Sequence, residues 1–186
     1  MIETGVIHGR FQVLHNDHLT YLNAGRERCR HLVIGITNPD PMLTRKAAAD
    51  PARSDPLANP LTFFERHQMI RNAMVKDAGW SFENFSIVPM PINFPELYSH
   101  YVPLNATFFL TIYDDWGREK LRQFEALGLE VDVLWKRSQK GKGISGTEVR
   151  KRMAQEEPWA HMVPATTSDL MIAWGIPERL RRLRSS

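Results

Sequence analysis

The chain is poor in several things at once. Its 186 residues hold one cysteine, Cys29, so an internal disulfide is excluded. No apolar run approaches the roughly 20 residues that a bilayer-crossing helix needs, and the protein is expected to have no membrane partner. The start, Met1-Ile2-Glu3-Thr4, lacks the basic residues and apolar stretch of a secretion signal, which points to a cytoplasmic protein. Charge of one sign is also scarce. The 24 Lys and Arg against 21 Asp and Glu leave +3, spread along the chain except for Arg179, Arg181, Arg182 and Arg184. Basic residues interleaved with aromatics are missing, so no nucleic-acid partner is expected, and the mild excess suits a phosphate-rich small substrate. Repeats and low-complexity tracts are absent.

What is present is 42% hydrophobic residues in a length suited to one buried core, so residues 1–186 are expected to form a single domain. Thr4 to His8 reads as a buried strand, Asp17 to Arg28 as a helix and His31 to Thr37 as a second strand. Further on, helices are expected at Thr62 to about Ala78 and Trp116 to Leu127, with strands at Phe85–Val88, Thr107–Ile112 and Glu130–Leu134. Strands apolar on both faces and alternating with helices predict an α/β fold. The expected form is a Rossmann-like, doubly wound parallel sheet with helices on both faces. Helices at about 145–184 would form a small C-terminal appendage. Ligands of such sheets bind beyond the C-terminal strand ends. Between the second strand and the next helix, the stretch 38–61 carries Pro39, Pro41, Pro51, Pro56 and Pro60 and is expected to be a long loop, of the kind that is either a functional lid or disordered.

Two motifs fall where ligands should bind. Gly9-Arg10-Phe11-Gln12-Val13-Leu14-His15-Asn16-Asp17-His18 leaves the first strand and enters the first helix. The free amides and positive dipole end of that helix favour phosphate, and His15 and His18, three apart, can face one ligand. The second motif is Ile144-Ser145-Gly146-Thr147-Glu148-Val149-Arg150-Lys151-Arg152-Met153. Ser145 with Glu148 is a capping box that starts a helix, and Thr147 and Arg150 share one face of it. Amides, hydroxyls and a guanidinium there suit phosphate oxygens. His8 reads as a hydrogen-bonded core or edge histidine, and Cys29 as the packed end of a helical face. Trp135, Trp159 and Trp174 read as core or subunit contacts.

With these two motifs the chain resembles the H-x-G-H nucleotidyltransferases, and the G-R-F-Q start is similar to that of the nicotinamide mononucleotide adenylyltransferases. The S-G-T-E-V-R-x-R-M run resembles the C-terminal signature of their archaeal type. Asn59-Pro60-Leu61-Thr62-Phe63-Phe64-Glu65-Arg66 resembles that family's N-P-F-T-x-x-E-R segment, although Thr62 with Glu65 is also an ordinary capping box. The chain departs from the pattern at Val13-Leu14, at Asp17, where the family has glycine, and at Ala58, where it tends to carry an arginine. Arg45, Lys46 and Arg53 of the long loop are the candidates to replace that arginine, although a charge on a loop is usually just solvated.

The resemblance implies transfer of the AMP unit of ATP to nicotinamide mononucleotide, forming NAD and pyrophosphate. His15, His18 and Arg150 would be catalytic. ATP would be held by Gly9, Arg10, Phe11, Gln12, Ser145, Gly146, Thr147 and Arg150, and the acceptor by Ile92, Asn93 and Tyr98. Mg²⁺ would bind through the ATP phosphates without a protein metal cage. Asp114-Asp115-Trp116 stands where the family has a small-residue turn, so a sister adenylyl- or cytidylyltransferase with another phosphorylated acceptor is the alternative. A second alternative is a nucleotide-binding regulator that has lost catalysis, against which His15, His18 and Arg150 stand. The resemblance leaves a homo-oligomer open.

Overall fold

Five runs rich in β-branched and aromatic residues form the strands of the computed structural model, which describes residues 1–41, 55–136 and 143–184. They are β1 (Ile2–Gly9), β2 (Cys29–Thr37), β3 (Phe85–Met90), β4 (Thr107–Ile112) and β5 (Glu130–Lys136). All pair in parallel, in the order β3-β2-β1-β4-β5. The winding direction reverses between β1 and β4. Loops leaving these two strands therefore diverge and leave a crevice at their C-terminal ends.

Among the described residues six α-helices accompany the strands: α1 (Asn16–Arg26), α2 (Phe63–Asn72), α3 (Asp115–Ala126), α4 (Gly146–Ala154), α5 (Ala165–Ala173) and α6 (Ile176–Arg184). A π-helical turn, Ala73–Asp77, continues α2. Cys29 opens β2 instead of ending a helix. The amides of Glu27 and Arg28 close α1 on Asn23 and Gly25, and the Ile2 amide then takes the Arg28 carbonyl and draws the chain into the sheet.

Side chains alternate across each strand, and that alternation builds two cores. On one face Ile7, Leu32, Ile34 and Phe109 pack with Leu22 of α1 and Met69 of α2. On the other, Val6, Val33 and Phe108 pack with Phe124 of α3, Met90 and Tyr98. Fully burying side chains of this size contributes roughly 1.5–3 kcal/mol each. Both faces of the sheet are thus covered, as expected. Val149, Met153, Met171 and Leu180 of the C-terminal helices join the first core, so these helices share the packing of β1 and β2. Thr62 and Glu65 form a complete capping box at the start of α2, and Glu65 also holds α6 through two bonds from Arg179 of 2.7 and 2.8 Å.

Candidate functional site

The loop after β1 reaches α1 through Phe11, a buried residue with φ of 50°. His15 caps α1, with its Nδ1 accepting the His18 amide at 3.4 Å. Because Nδ1 accepts, the proton of a neutral His15 ring sits on Nε2. The His15 and His18 rings stack, and Phe11 meets His18 edge-on with centroids 5.0 Å apart. The two histidines thus form one unit on the first turn of the helix.

The second motif docks directly on this loop. Ser145 caps α4, its Oγ accepting the Glu148 amide at 3.2 Å. The reciprocal half of the expected capping box is replaced by a bond from Arg152 to Glu148 at 2.8 Å. Gly146 lies so close to the loop that a Cβ there would fall 2.7 Å from the Gln12 carbonyl oxygen. Arg150 donates to that same carbonyl and, at 3.2 Å, to Thr147 Oγ1. Burial, and then the charge of Arg10, push the Arg150 guanidinium down to about 10, which still leaves it cationic near neutrality.

Two further contacts fix the loop. The Gln12 amide bonds both the N–H and the carbonyl of Leu61 at 2.9 Å, so its side chain serves the loop. Arg66, only 2% exposed, donates to the carbonyls of Arg10, Thr37 and Asn38. This arginine ties the ends of β1 and β2 to α2.

A cavity of about 320 Å³ opens at the crevice between β1 and β4. The whole stretch from Gly9 to Gln12, both histidines, Ser145 to Thr147 and Arg150 border it, as do Ile92 and Asn93. Tyr98 does not. Its side chain is buried in the core and its hydroxyl donates to the Ile92 carbonyl at 2.7 Å, so it supports the wall from behind. His8, expected to be a hydrogen-bonded core or edge histidine, borders the cavity, and its buried Nδ1 has no hydrogen-bond partner among the described residues. Lys120 and Trp116 of α3 also border it; Trp116 belongs to the Asp114-Asp115-Trp116 departure noted in the sequence, whereas Lys120 carries no motif by which sequence reasoning finds it. Asp17 lines the cavity beside the histidines, and its carboxylate lies against Gly143, where a Cβ would collide with it.

A second cavity adjoins the first across Arg10, Thr147 and Arg150 and is bordered by Ala58 and by Arg184 of α6. Beside Ala58, where the sequence lacks an arginine, the fold thus brings one from the C-terminal helix. Arg45, Lys46 and Arg53 lie outside the described residues. Among the described residues no helix is long and apolar enough to cross a membrane, and no group of three or more His, Cys, Asp or Glu side chains is placed to hold a metal ion.

Comparison with known proteins gives a graded picture. The chain is 51% identical, over 178 residues covering 96% of it and 95% of the relative, to a phosphonoformate cytidylyltransferase of Streptomyces viridochromogenes. It is 28% identical over its full length, and 91% of the relative, to a nicotinamide-nucleotide adenylyltransferase of Thermococcus kodakarensis. A crystal structure of a bifunctional NMN adenylyltransferase/ADP ribose pyrophosphatase from Francisella tularensis superposes on 98% of the chain with a TM-score of 0.71. At 16% identity that likeness speaks for the fold, and the chain spans about half of that longer protein. Residues 6–152, from the middle of β1 through most of α4, match the model of the cytidylyltransferase-like family. With a parallel sheet of matching topology and both motifs at its switch point, the chain belongs to the cytidylyltransferase-like family of nucleotidyltransferases.

Proposed function

We propose that this enzyme moves the CMP unit of CTP onto a small acceptor carrying a phosphonate beside a carboxylate, with phosphonoformate as the reference compound. The observation that carries the reading is the 51% identity, over nearly the whole of both chains, with the Streptomyces phosphonoformate cytidylyltransferase. Two features of the site support it. The cavity of about 320 Å³ lies at the lower end of the range for small-molecule sites, which suits a compact acceptor. Its wall also carries the ammonium of Lys120, which attracts a carboxylate and repels the cationic pyridinium ring of nicotinamide mononucleotide. Adenylation of that mononucleotide, expected from the motifs, draws on relatives near 28% identity. The other acceptor, allowed for beside it, is better supported.

On this reading a phosphonate oxygen attacks the α-phosphorus of CTP. A P–O bond forms there as the bond to the bridging oxygen breaks, and pyrophosphate leaves with that electron pair. The nucleophile is anionic at neutral pH, so no general base is required. Positioning and charge neutralisation supply most of the barrier reduction. His15, His18 and Arg150 would provide the N–H donors, and the α4 N-terminus with Thr147 would receive phosphate oxygens. A magnesium ion entering with the triphosphate would neutralise part of its charge. Such an ion is held mainly by phosphate and water, and Asp17 beside the histidines is placed to add a carboxylate.

The test crosses CTP and ATP with phosphonoformate and nicotinamide mononucleotide, in the presence of Mg²⁺, and follows pyrophosphate release. CTP with phosphonoformate is expected to be fastest. Faster release from ATP with nicotinamide mononucleotide, or no release from any pair, would overturn the proposal.

A further inference from the structure

We infer that Lys120 and His8 form an anion subsite for the carboxylate of the acceptor, and that Lys120 sets the requirement for a second negative charge on it. The inference deepens the proposed function and rests on it for the identity of the acceptor. Lys120 is 5% exposed, unusual for an ammonium, and borders the cavity. Its Nζ lies 4.8 Å from the centre of the Trp116 ring and 5.8 Å from that of Phe124, and 3.4 Å from Gln123 Oε1. A buried ammonium that faces a cavity favours an anion there, because the contact between them is charge-assisted and stronger than one between neutral groups.

His8 meets the same Phe124 ring from β1, with centroids 5.5 Å apart. Its buried Nδ1 finds no hydrogen-bond partner among the described residues, which is uncommon for a polar atom in a protein interior. Burial, and then the charge of Lys120, push the His8 imidazole down to about 3, so it is neutral under ordinary conditions. A neutral ring still offers one N–H donor. An anion lodged here would draw on the Lys120 charge and provide an acceptor for His8, answering both features with one group.

The geometry of the chain matches a two-headed acceptor. His8 precedes Gly9 and Arg10 directly, so the end of β1 serves this subsite and the phosphate-facing loop alike. In phosphonoformate one P–C bond separates the two anionic groups. The phosphonate can then face the histidine pair while the carboxylate faces Lys120.

The experiment measures binding of phosphonoformate and of methylphosphonate, which lacks the carboxylate, to the full chain and to Lys120→Met in the presence of CTP and Ca²⁺ in place of Mg²⁺ to slow turnover. CTP affinity is measured separately. The unaltered protein is expected to prefer phosphonoformate by about tenfold or more, the scale of a charge-assisted contact. Lys120→Met should erase that preference and leave CTP affinity unchanged. If Lys120→Met does not fold, as judged by its melting curve, Lys120→Gln supplies the same comparison. No preference in the unaltered protein, equal binding by both forms, or a loss confined to CTP would overturn the subsite. The reaction is scored apart. Lys120-dependent binding without pyrophosphate release under Mg²⁺ sinks the proposed transfer and leaves the subsite standing. Transfer with an unchanged KM for phosphonoformate in Lys120→Met does the reverse.

Discussion

The His15 and His18 rings lie face to face, with centroids 3.7 Å apart and planes 20° from parallel. The stack is held by the bond of the His18 amide to His15 Nδ1 and by the edge of Phe11. If the pair donates to the phosphate under attack, His18→Ala lowers turnover by about 100-fold. The melting temperature should hardly move, because His18 is only half-buried and alanine favours the helix. Pyrophosphate release by a folded variant is the check, and unchanged turnover would remove His18 from the reaction.

Gly146 and Arg150 both rest on the carbonyl of Gln12, one by close approach and one by a hydrogen bond. Gly146→Ala must push α4 away from the loop, at a cost of about 1–3 kcal/mol of stability. Arg150→Ala should raise the KM for the nucleotide as well as lower turnover, since a guanidinium contact to phosphate serves both ground and transition states. Melting curves and steady-state kinetics separate the two. An Arg150→Ala protein with both constants intact would assign the arginine to packing alone.

Asp17 brings a carboxylate to the histidine end of the cavity, where the nucleotide phosphates are proposed to lie. Against bare triphosphate that charge would repel, and with magnesium it would help to hold the ion. Asp17→Gly is therefore expected to tighten binding of the nucleotide without metal and to shrink the gain that Mg²⁺ brings. It should also cost about 0.3–1 kcal/mol through the helix dipole and about as much again through helix propensity. Calorimetric titrations with and without Mg²⁺ decide the matter. Weaker metal-free binding would contradict the repulsion.

Arg179 grips Glu65 with two bonds and also donates to the Pro60 carbonyl at 2.9 Å. Burial raises the Glu65 carboxyl, but the bonds from Arg179 and the Thr62 amide outweigh it and leave the group below its ordinary value. A carboxyl lowered on folding adds stability that is full above the unfolded value, about 4.3, and is lost as pH falls through the lowered folded value. Arg179→Ala should cost about 1.5–3 kcal/mol near neutrality, and the gap between its melting temperature and that of the parent should narrow below about pH 4. A gap independent of pH would mean that Arg179 acts by packing.

All five strands were legible because each is an apolar run matching a two-sided buried strand, and their C-terminal ends pointed to the site in advance. Residues of the first and second motifs line one cavity at the ends of the strands. Tyr98 misled because its neighbours Ile92 and Asn93 do border the cavity, while the 3-10 turn Pro95–His100 sends its hydroxyl back to the main chain. His8 and Lys120 were invisible as a pair. They come from β1 and α3, and only the reversal of winding between β1 and β4 makes them neighbours. Arg184 could not be placed beside Ala58 from sequence either, since α6 reaches it through tertiary packing.

The alternation that splits the interior into two cores also divides the labour of the site. Phe11, Leu14 and Val149, which seat the histidine loop and α4, belong to the core on the α1 and α2 face. Ile92, Tyr98 and Phe124, which seat the opposite wall, belong to the core beneath α3. The sheet stands between them, so repacking one core leaves the other nearly untouched. On the proposed reading, a lineage with this architecture can exchange acceptors by revising the α3 side while the half proposed to handle phosphate is inherited whole.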